Sequence, residues 1–364
     1  MSQYFLLLPL LGFITLVATR TQTECKTKVL KNYRPRTAFS VALIAFLPII
    51  ILAGTRGYVG DTYAYMNGFS LMPNVIADLP SYMSTVKKDP CFYLFSALFH
   101  IIFGDYVRAY LFLIAIVQAL SLISIYRKYS VSYFTSVFLF VASTDMISWM
   151  FNGIRQFIAV TIVFAGTTLM LKKRYFASAL IILFASTFHG TAILMLPIIF
   201  IVQGKALNWK TLIFTFVCLI FLVFAEQFTD ILDVMLTDTQ YENVVSDWQS
   251  WNDDGTSPIR VIVYAIPTLL SLVGLRYIRQ ANDPVTNFCT NMSFISTSIY
   301  IVSMATSGIF IGRLPIYFSL YNYILLPWEL DHIFARNTSK ILKFLMVLFY
   351  TLFYIYQMRI FDLI

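Results

Sequence analysis

The sequence predicts an all-α, polytopic membrane protein, a single integral domain over residues 1–364. Three observations predict it. The chain is 59% hydrophobic and only 12% charged, whereas soluble domains carry about 25% charged residues. Apolar runs recur along the whole length and leave no gap for a soluble domain. Basic clusters alternate with acidic or neutral loops, as they do when Lys and Arg collect on the cytoplasmic side. That alternation accounts for the net charge of +8, and no nucleic-acid partner is expected. The four cysteines (Cys25, Cys91, Cys218, Cys289) are scattered, with neither disulfide framework nor metal-ligand spacing. The Walker, GxGxxG, HExxH and GxSxG patterns do not occur, so no cofactor and no metal is expected.

The elements follow from charge and parity. The start, MSQYFLLLPLLGFITLVATR, has no basic leader and no small-residue cleavage site, and reads as a first helix, about 4–19. Residues 20–36 hold six basic residues and one acid and belong in the cytoplasm, which puts the N-terminus outside. A second helix (about 38–53) leaves residues 54–90 on the outer face. The run 91–103 is 13 residues, about 20 Å as a helix and too short for a core of about 30 Å. It reads as a re-entrant or surface helix, with 107–125 as the span that reaches the Arg127–Lys128 pair. Spans at about 131–148 and 154–170 flank an outer turn, DMISWMFNGIRQ. Both ends of the next apolar stretch are basic, yet it is too short for two full spans, so it predicts a hairpin of short helices broken at His189-Gly190. Such breaks persist at membrane depth only when packed in protein or lining a wet cavity. Residues 226–258 carry eight acids and no Lys or Arg and read as an outer loop between 211–225 and 260–275. Further spans lie at about 288–306, 310–328 and 341–356. In all, about eleven membrane helices are expected.

This topology places Arg56, Arg155, Arg260 and Arg313 on the outer face, each at the end of an apolar helix and each against the positive-inside trend. One arginine in such a place can snorkel to headgroups or meet a neighbouring carboxylate. Four together point to a shared anion, because the guanidinium fork matches phosphate bidentately and keeps its charge when desolvated. Asp61, five residues after Arg56, is either a surface acid or a general base facing that cluster. Tyr58, Tyr63 and Tyr65 around it read as interfacial belt residues or as platforms for sugar rings. His189 is a structural donor or an intramembrane proton acceptor titrating near neutrality. In the acidic loop, Trp248 and Trp251 interleave with Asp, Asn and Gln, as at carbohydrate-binding surfaces. The loops 54–90 and 226–258 are thus the candidate contributors to an active-site face.

Four stretches in order, R-G-Y-V-G-D-T-Y-A-Y, G-I-R-Q-F-I-A, F-H-G-T-A-I-L and R-L-P-I-Y-F, resemble the EpsG family over about residues 50–330. These are Wzy-like polymerases of bacterial capsule, O-antigen and exopolysaccharide. The resemblance implies a GT-C-like, metal-independent glycosyltransferase of the inner membrane with its active site facing the periplasm. A growing glycan would leave undecaprenyl pyrophosphate for a lipid-linked repeat unit. The implied partners are the undecaprenyl-pyrophosphate-linked oligosaccharide, membrane lipids and a chain-length regulator. Under this reading Arg155 and Arg313 bind the diphosphate with Arg56 or Arg260 assisting, Asp61 or His189 is the base, and Tyr63, Tyr65, Trp248 and Trp251 meet sugar. An O-antigen ligase, which shares the donor, and a lipid-linked oligosaccharide flippase are the competing readings, together with a membrane acyltransferase using His189 as base.

Overall fold

In a medium without water, backbone polar groups have only one another as partners, and a helix satisfies them within one segment. The computed structural model describes residues 3–21, 26–29, 32–224, 255–306, 308 and 310–363. Among these residues the chain is helical apart from one antiparallel hairpin, β1 (Lys26–Val29) with β2 (Asn32–Pro35), in which Lys26 pairs with Pro35. The contacts divide into two compact units, residues 1–196 with 340–364, and residues 197–339.

The first unit holds α1 (Gln3–Thr21), α2 (Phe39–Thr55), α3 (Thr62–Ser70), α4 (Leu79–Thr85), α5 (Pro90–Phe103), α6 (Val107–Tyr129) and α7 (Tyr133–Ala142). A π-helical segment, Met146–Asn152, leads to α8 (Ile154–Ala165), α9 (Thr167–Leu171) and α10 (Tyr175–Ser186). At 23 residues, α6 reaches about 34 Å at 1.5 Å per residue and can cross a bilayer core of about 30 Å. It packs on α2 and α8. The α2 contact is close at Gly54, where an added Cβ would lie 2.4 Å from the Phe112 ring. The run expected at 91–103 is α5, 14 residues long. Pro90 opens it at a position where the missing N–H is harmless, and Gly104, at φ 76°, closes it. Together α3, α5, α6 and α8 enclose an apolar cluster that includes Phe69, Phe92, Tyr110 and Ile158.

The second unit holds α12 (Trp209–Val223), α13 (Pro258–Val273), α14 (Leu275–Ala281), α15 (Pro284–Met304), α16 (Ile316–Ser319) and α17 (Asn322–His332). Its axis is α15, several of whose buried polar side chains bond within the unit. Asn291 Oδ1 accepts from Leu207 N–H at 2.8 Å, and its Nδ2 donates to the carbonyls of Val202 and Lys205. Thr268 of α13 reaches both Ser293 and Thr297. Two helices cross the division, α11 (Met195–Ile201) and the final α18 (Arg336–Ile360).

Three expected spans take other shapes. The run 131–148 is not one helix: α7 stops at Ala142, Thr144 takes φ 70°, and the chain bends by 73° into the π-helical segment. The run 260–275 continues past Gly274 into α14 with a bend of 71°. The run 310–328 is a 3-10 turn (Ile311–Arg313), then α16, then α17, interrupted where Pro315 cannot continue a hydrogen-bond ladder. The expected break near His189-Gly190 is present, as α10 ends at Ser186 and a 3-10 turn starts at Gly190. By length and composition, three helices are suited to crossing a membrane among the described residues, or five if each bent pair is one span. Other apolar helices, α2, α10 and α12 among them, have 10–17 residues.

Candidate active site

The first two motifs meet in the first unit. Beyond the end of α2, Arg56 folds back: its Nε donates to Thr62 Oγ1 at 3.0 Å, its Nη1 donates to the Ala53 carbonyl, and its guanidinium lies 5.0 Å from the Phe151 ring centre. Only 2% of Arg56 is exposed, and Nη2 has no hydrogen-bond partner among the described residues. Burial lowers its pKa to about 10. The turn that follows is pinned to the other motif, since Asp61 N–H donates to Asn152 Oδ1 at 2.9 Å. Gly60 makes this approach feasible: it takes φ 54°, and a Cβ there would lie 2.5 Å from the same oxygen.

From that turn, α3 runs with one face toward a cavity of about 230 Å³. Asp61, Ala64, Tyr65, Gly68, Phe69 and Met72 line it from this side, and their spacing is the i, i+3, i+4, i+7 stripe of a helix face. Phe92, Tyr93, Tyr110 and Arg155 line the other side. Tyr63 is on the opposite face of α3, 62% exposed and edge-on to Tyr58. The carboxyl of Asp61 is exposed, and it makes no cap bond to α3.

Arg155, second residue of α8, is the most heavily engaged side chain of the site. Its Nη1 donates to Asp89 Oδ2 at 2.8 Å and lies 3.4 Å from the Tyr93 hydroxyl. The guanidinium sits 5.8 Å from the Tyr93 ring centre and also interacts with the Tyr65 phenol. Burial pushes the Tyr65 phenol up, against the opposing pull of Arg155. A quarter of the Arg155 side chain is exposed, against 3% of the Asp89 side chain.

Asp89 was not singled out by its sequence, where it follows Lys87-Lys88 and reads as part of a solvated charge run. It occupies the left-handed region, at φ 52°, just before α5. Its Oδ1 accepts from the Gly190 N–H at 3.4 Å, so one carboxylate ties Arg155 to the broken hairpin. A second tie lies beside it, from Cys91 N–H to the Thr187 carbonyl at 3.0 Å. Burial raises the Asp89 pKa, outweighing Arg155, the Gly190 N–H and Lys88, which lower it. Next to Arg155, Gln156 donates to Thr191 Oγ1 at 3.4 Å, and His189 Nδ1 meets the same hydroxyl at 2.7 Å. The R-Q pair of one motif therefore grips the F-H-G-T stretch of the next, Arg155 through Asp89 and Gln156 through Thr191. His189 is half-buried on that grip and is not a lining residue of the cavity.

The remaining candidates lie elsewhere. Arg260 and Arg313 belong to the second unit. Arg260 stands in the first turn of α13 with its guanidinium 5.8 Å from the Tyr264 ring centre, and Tyr264 stacks on Tyr300 at 4.9 Å. Arg313 closes the short 3-10 turn before α16 and is half-buried. Trp248, Trp251 and most of the acidic loop lie outside the described residues.

The profile of the EpsG family matches residues 40–363. The chain belongs to the EpsG family. EpsG proteins are Wzy-like polysaccharide polymerases, and the matched region contains every motif joined above. No curated protein and no solved structure gives a match to the chain. Membership in EpsG, with the apolar helices, makes this a membrane protein of polysaccharide biosynthesis.

Proposed function

We propose that the chain extends a glycan by moving it from undecaprenyl pyrophosphate onto a lipid-linked repeat unit, at the outer side of the cytoplasmic membrane. In this reading about eleven helical segments embed a GT-C-like enzyme in the inner membrane, working with a chain-length regulator. The observation that carries it is the presence, on the wall of one aromatic-lined cavity, of both an arginine at the head of a membrane helix and an exposed carboxylate, Arg155 and Asp61.

The chemistry follows from those groups. An acceptor hydroxyl oxygen attacks the anomeric carbon through an oxocarbenium-like state, by analogy with glycosidases. The bond from that carbon to the diphosphate oxygen breaks and the electron pair leaves with the diphosphate. Asp61 takes the hydroxyl proton, with His189 as the second candidate for that task. Charge grows on the departing diphosphate, where a preoriented guanidinium outside bulk water stabilises it most. Arg155 takes that role; Arg313 is assigned the same role, with Arg56 or Arg260 assisting. Tyr65, on the cavity wall, stacks against a sugar ring, and Tyr63, Trp248 and Trp251 are proposed as further sugar contacts.

The test uses purified protein in liposomes with its lipid-linked repeat unit, without metal or nucleotide. A ladder of chain lengths is expected. Transfer only to a lipid A core acceptor would make the enzyme a ligase, and movement of the lipid without transfer would make it a flippase. Arg155→Ala should lower turnover about a hundredfold, the usual loss for one transition-state donor. Wild-type chain lengths from a correctly inserted Arg155→Ala protein would remove the diphosphate role.

A further inference from the structure

Arginine has five N–H donors in a rigid fork, so its usefulness to a ligand depends on what fixes the rest of the fork. Here Nη1 is taken up by Asp89 and approaches the Tyr93 hydroxyl, while the same side chain lines the cavity. The group that fixes it is itself unusually well held. Asp89 is almost fully buried, accepts from Gly190, and sits at φ 52°. A side chain in that backbone conformation is strained by about 1–2 kcal/mol unless it is Gly, Asn or Asp.

We propose that Asp89 is a positioning residue for Arg155. It clamps one edge of the guanidinium against the Gly190 turn and so aims the remaining donors at the leaving diphosphate in the cavity. The proposal rests on the assignment of Arg155 to the diphosphate. It gives a physical reason for the second feature of the site, the tie between α8 and the broken hairpin. Without a fixed carboxylate, a quarter-exposed arginine at a helix end would sample many rotamers, and an aligned donor would become a mobile one. Misplacement by about 1 Å is enough to cost about a hundredfold in rate. Asp89 makes no contact with the reacting atoms in this scheme, so it acts through Arg155 alone.

The natural test is Asp89→Asn. Asparagine accepts the left-handed backbone as readily as aspartate, and its one acceptor oxygen can keep the Gly190 N–H bond. Its NH2 group, a donor, takes the place of the oxygen that accepts from Arg155, so the clamp is lost. Turnover and the apparent KM for the lipid-linked repeat unit are measured for Asp89→Asn, Arg155→Lys and the double variant. Asp89→Asn is expected to lower turnover about tenfold with apparent KM within about twofold of wild type, and the double variant to be no slower than Arg155→Lys alone. Asp89→Glu, which keeps the charge, should recover part of the loss in turnover, with a lower melting midpoint from the left-handed strain. Wild-type turnover in Asp89→Asn, or losses that multiply in the double variant, overturns the positioning role. Wild-type turnover in Arg155→Ala overturns the diphosphate assignment and this proposal with it, whereas an inactive Arg155→Ala beside an intact Asp89→Asn overturns this proposal alone.

Discussion

Arg56 and Arg155 stand at helix ends in the same unit, one just past α2 and the other at the start of α8, and they are neutralised in opposite ways. Arg56 is enclosed by neutral partners: a threonine hydroxyl, a backbone carbonyl and the face of Phe151. Its charge is held at a cost, which is why burial draws its pKa down to about 10. Arg155 has a carboxylate partner, a quarter-exposed side chain and a cavity beside it. Neutral dipoles around an enclosed arginine fix backbone, here the turn that carries Asp61. A carboxylate on one edge, with a phenol and the cavity beside the rest of the fork, leaves an arginine able to receive a second anion. Two arginines that look alike in the sequence are thus assigned different work by their surroundings.

The largest expected effects separate the two. Arg155→Ala should cost about a hundredfold in turnover, and its melting midpoint should fall at neutral pH and recover toward acid pH, because the buried Asp89 loses the cation that favours its ionised form. Arg56→Ala should act on stability with turnover little changed. It leaves Thr62 and the Ala53 carbonyl short of a donor inside the fold, a loss of about 1–3 kcal/mol per buried group, read as a lower melting midpoint. If Arg56→Ala abolishes turnover in a protein that melts normally, the two arginines belong to one anion site and the contrast is void.

The turn between them offers a finer test. Gly60→Ala forces an alanine into the left-handed region, about 1–2 kcal/mol, and drives a Cβ to 2.5 Å from Asn152 Oδ1. The Asp61 N–H bond to that oxygen must yield, so Asp61 moves while the Arg155 pair stays in place. Turnover should fall about tenfold, or about 1.4 kcal/mol, with the Asp89–Arg155 coupling unchanged in a double-variant cycle. On the cavity wall, Tyr65→Ala should raise the apparent KM for the repeat unit several-fold, as expected for loss of an aromatic contact worth about 1 kcal/mol. Tyr63→Ala should raise it less, by no more than about twofold, since Tyr63 projects from the other side of α3 and can meet only an outlying sugar of the chain. Equal effects from the two tyrosines would mean the cavity is not where sugar binds.

Much of this was legible in sequence because charge in apolar surroundings is conspicuous. Arg56, Asp61, Arg155 and His189 stood out that way, and so did the break beside His189-Gly190. Proline and glycine marked both ends of α5. What the sequence hid depends on rotation and docking. The alternation Tyr63, Tyr65 offers no means to choose between them until α3 is known to be a helix whose stripe through Asp61, Tyr65, Phe69 and Met72 faces inward. The bend after Ala142 was hidden because apolar residues resume directly after S-T-D in V-A-S-T-D-M-I-S-W, while the positive φ of Thr144 lies within a bend of 73°. Asp89 was hidden most completely. Next to two lysines and a proline it looks solvated, and its burial is created by residues about a hundred positions later, at Gly190.

That burial supplies the smallest prediction and the one that most sharply separates aiming from holding. The Asp89 carboxyl is raised above its ordinary value because desolvation outweighs Arg155. A group whose native pKa is raised binds more protons folded than unfolded in the window above its ordinary value of about 3.9. Stability therefore falls as pH rises through that window, and the penalty is fully present once the native carboxyl has ionised. Asp89→Asn removes the titrating group. Its melting midpoint should equal or exceed that of wild type at neutral pH, and the advantage should shrink toward pH 4 as wild-type Asp89 protonates. A residue retained for holding the fold together would show the opposite sign, with the asparagine variant less stable at neutral pH than at acid pH relative to wild type. Higher stability together with lower turnover in one variant would mark Asp89 as a buried charge kept for what it does to Arg155.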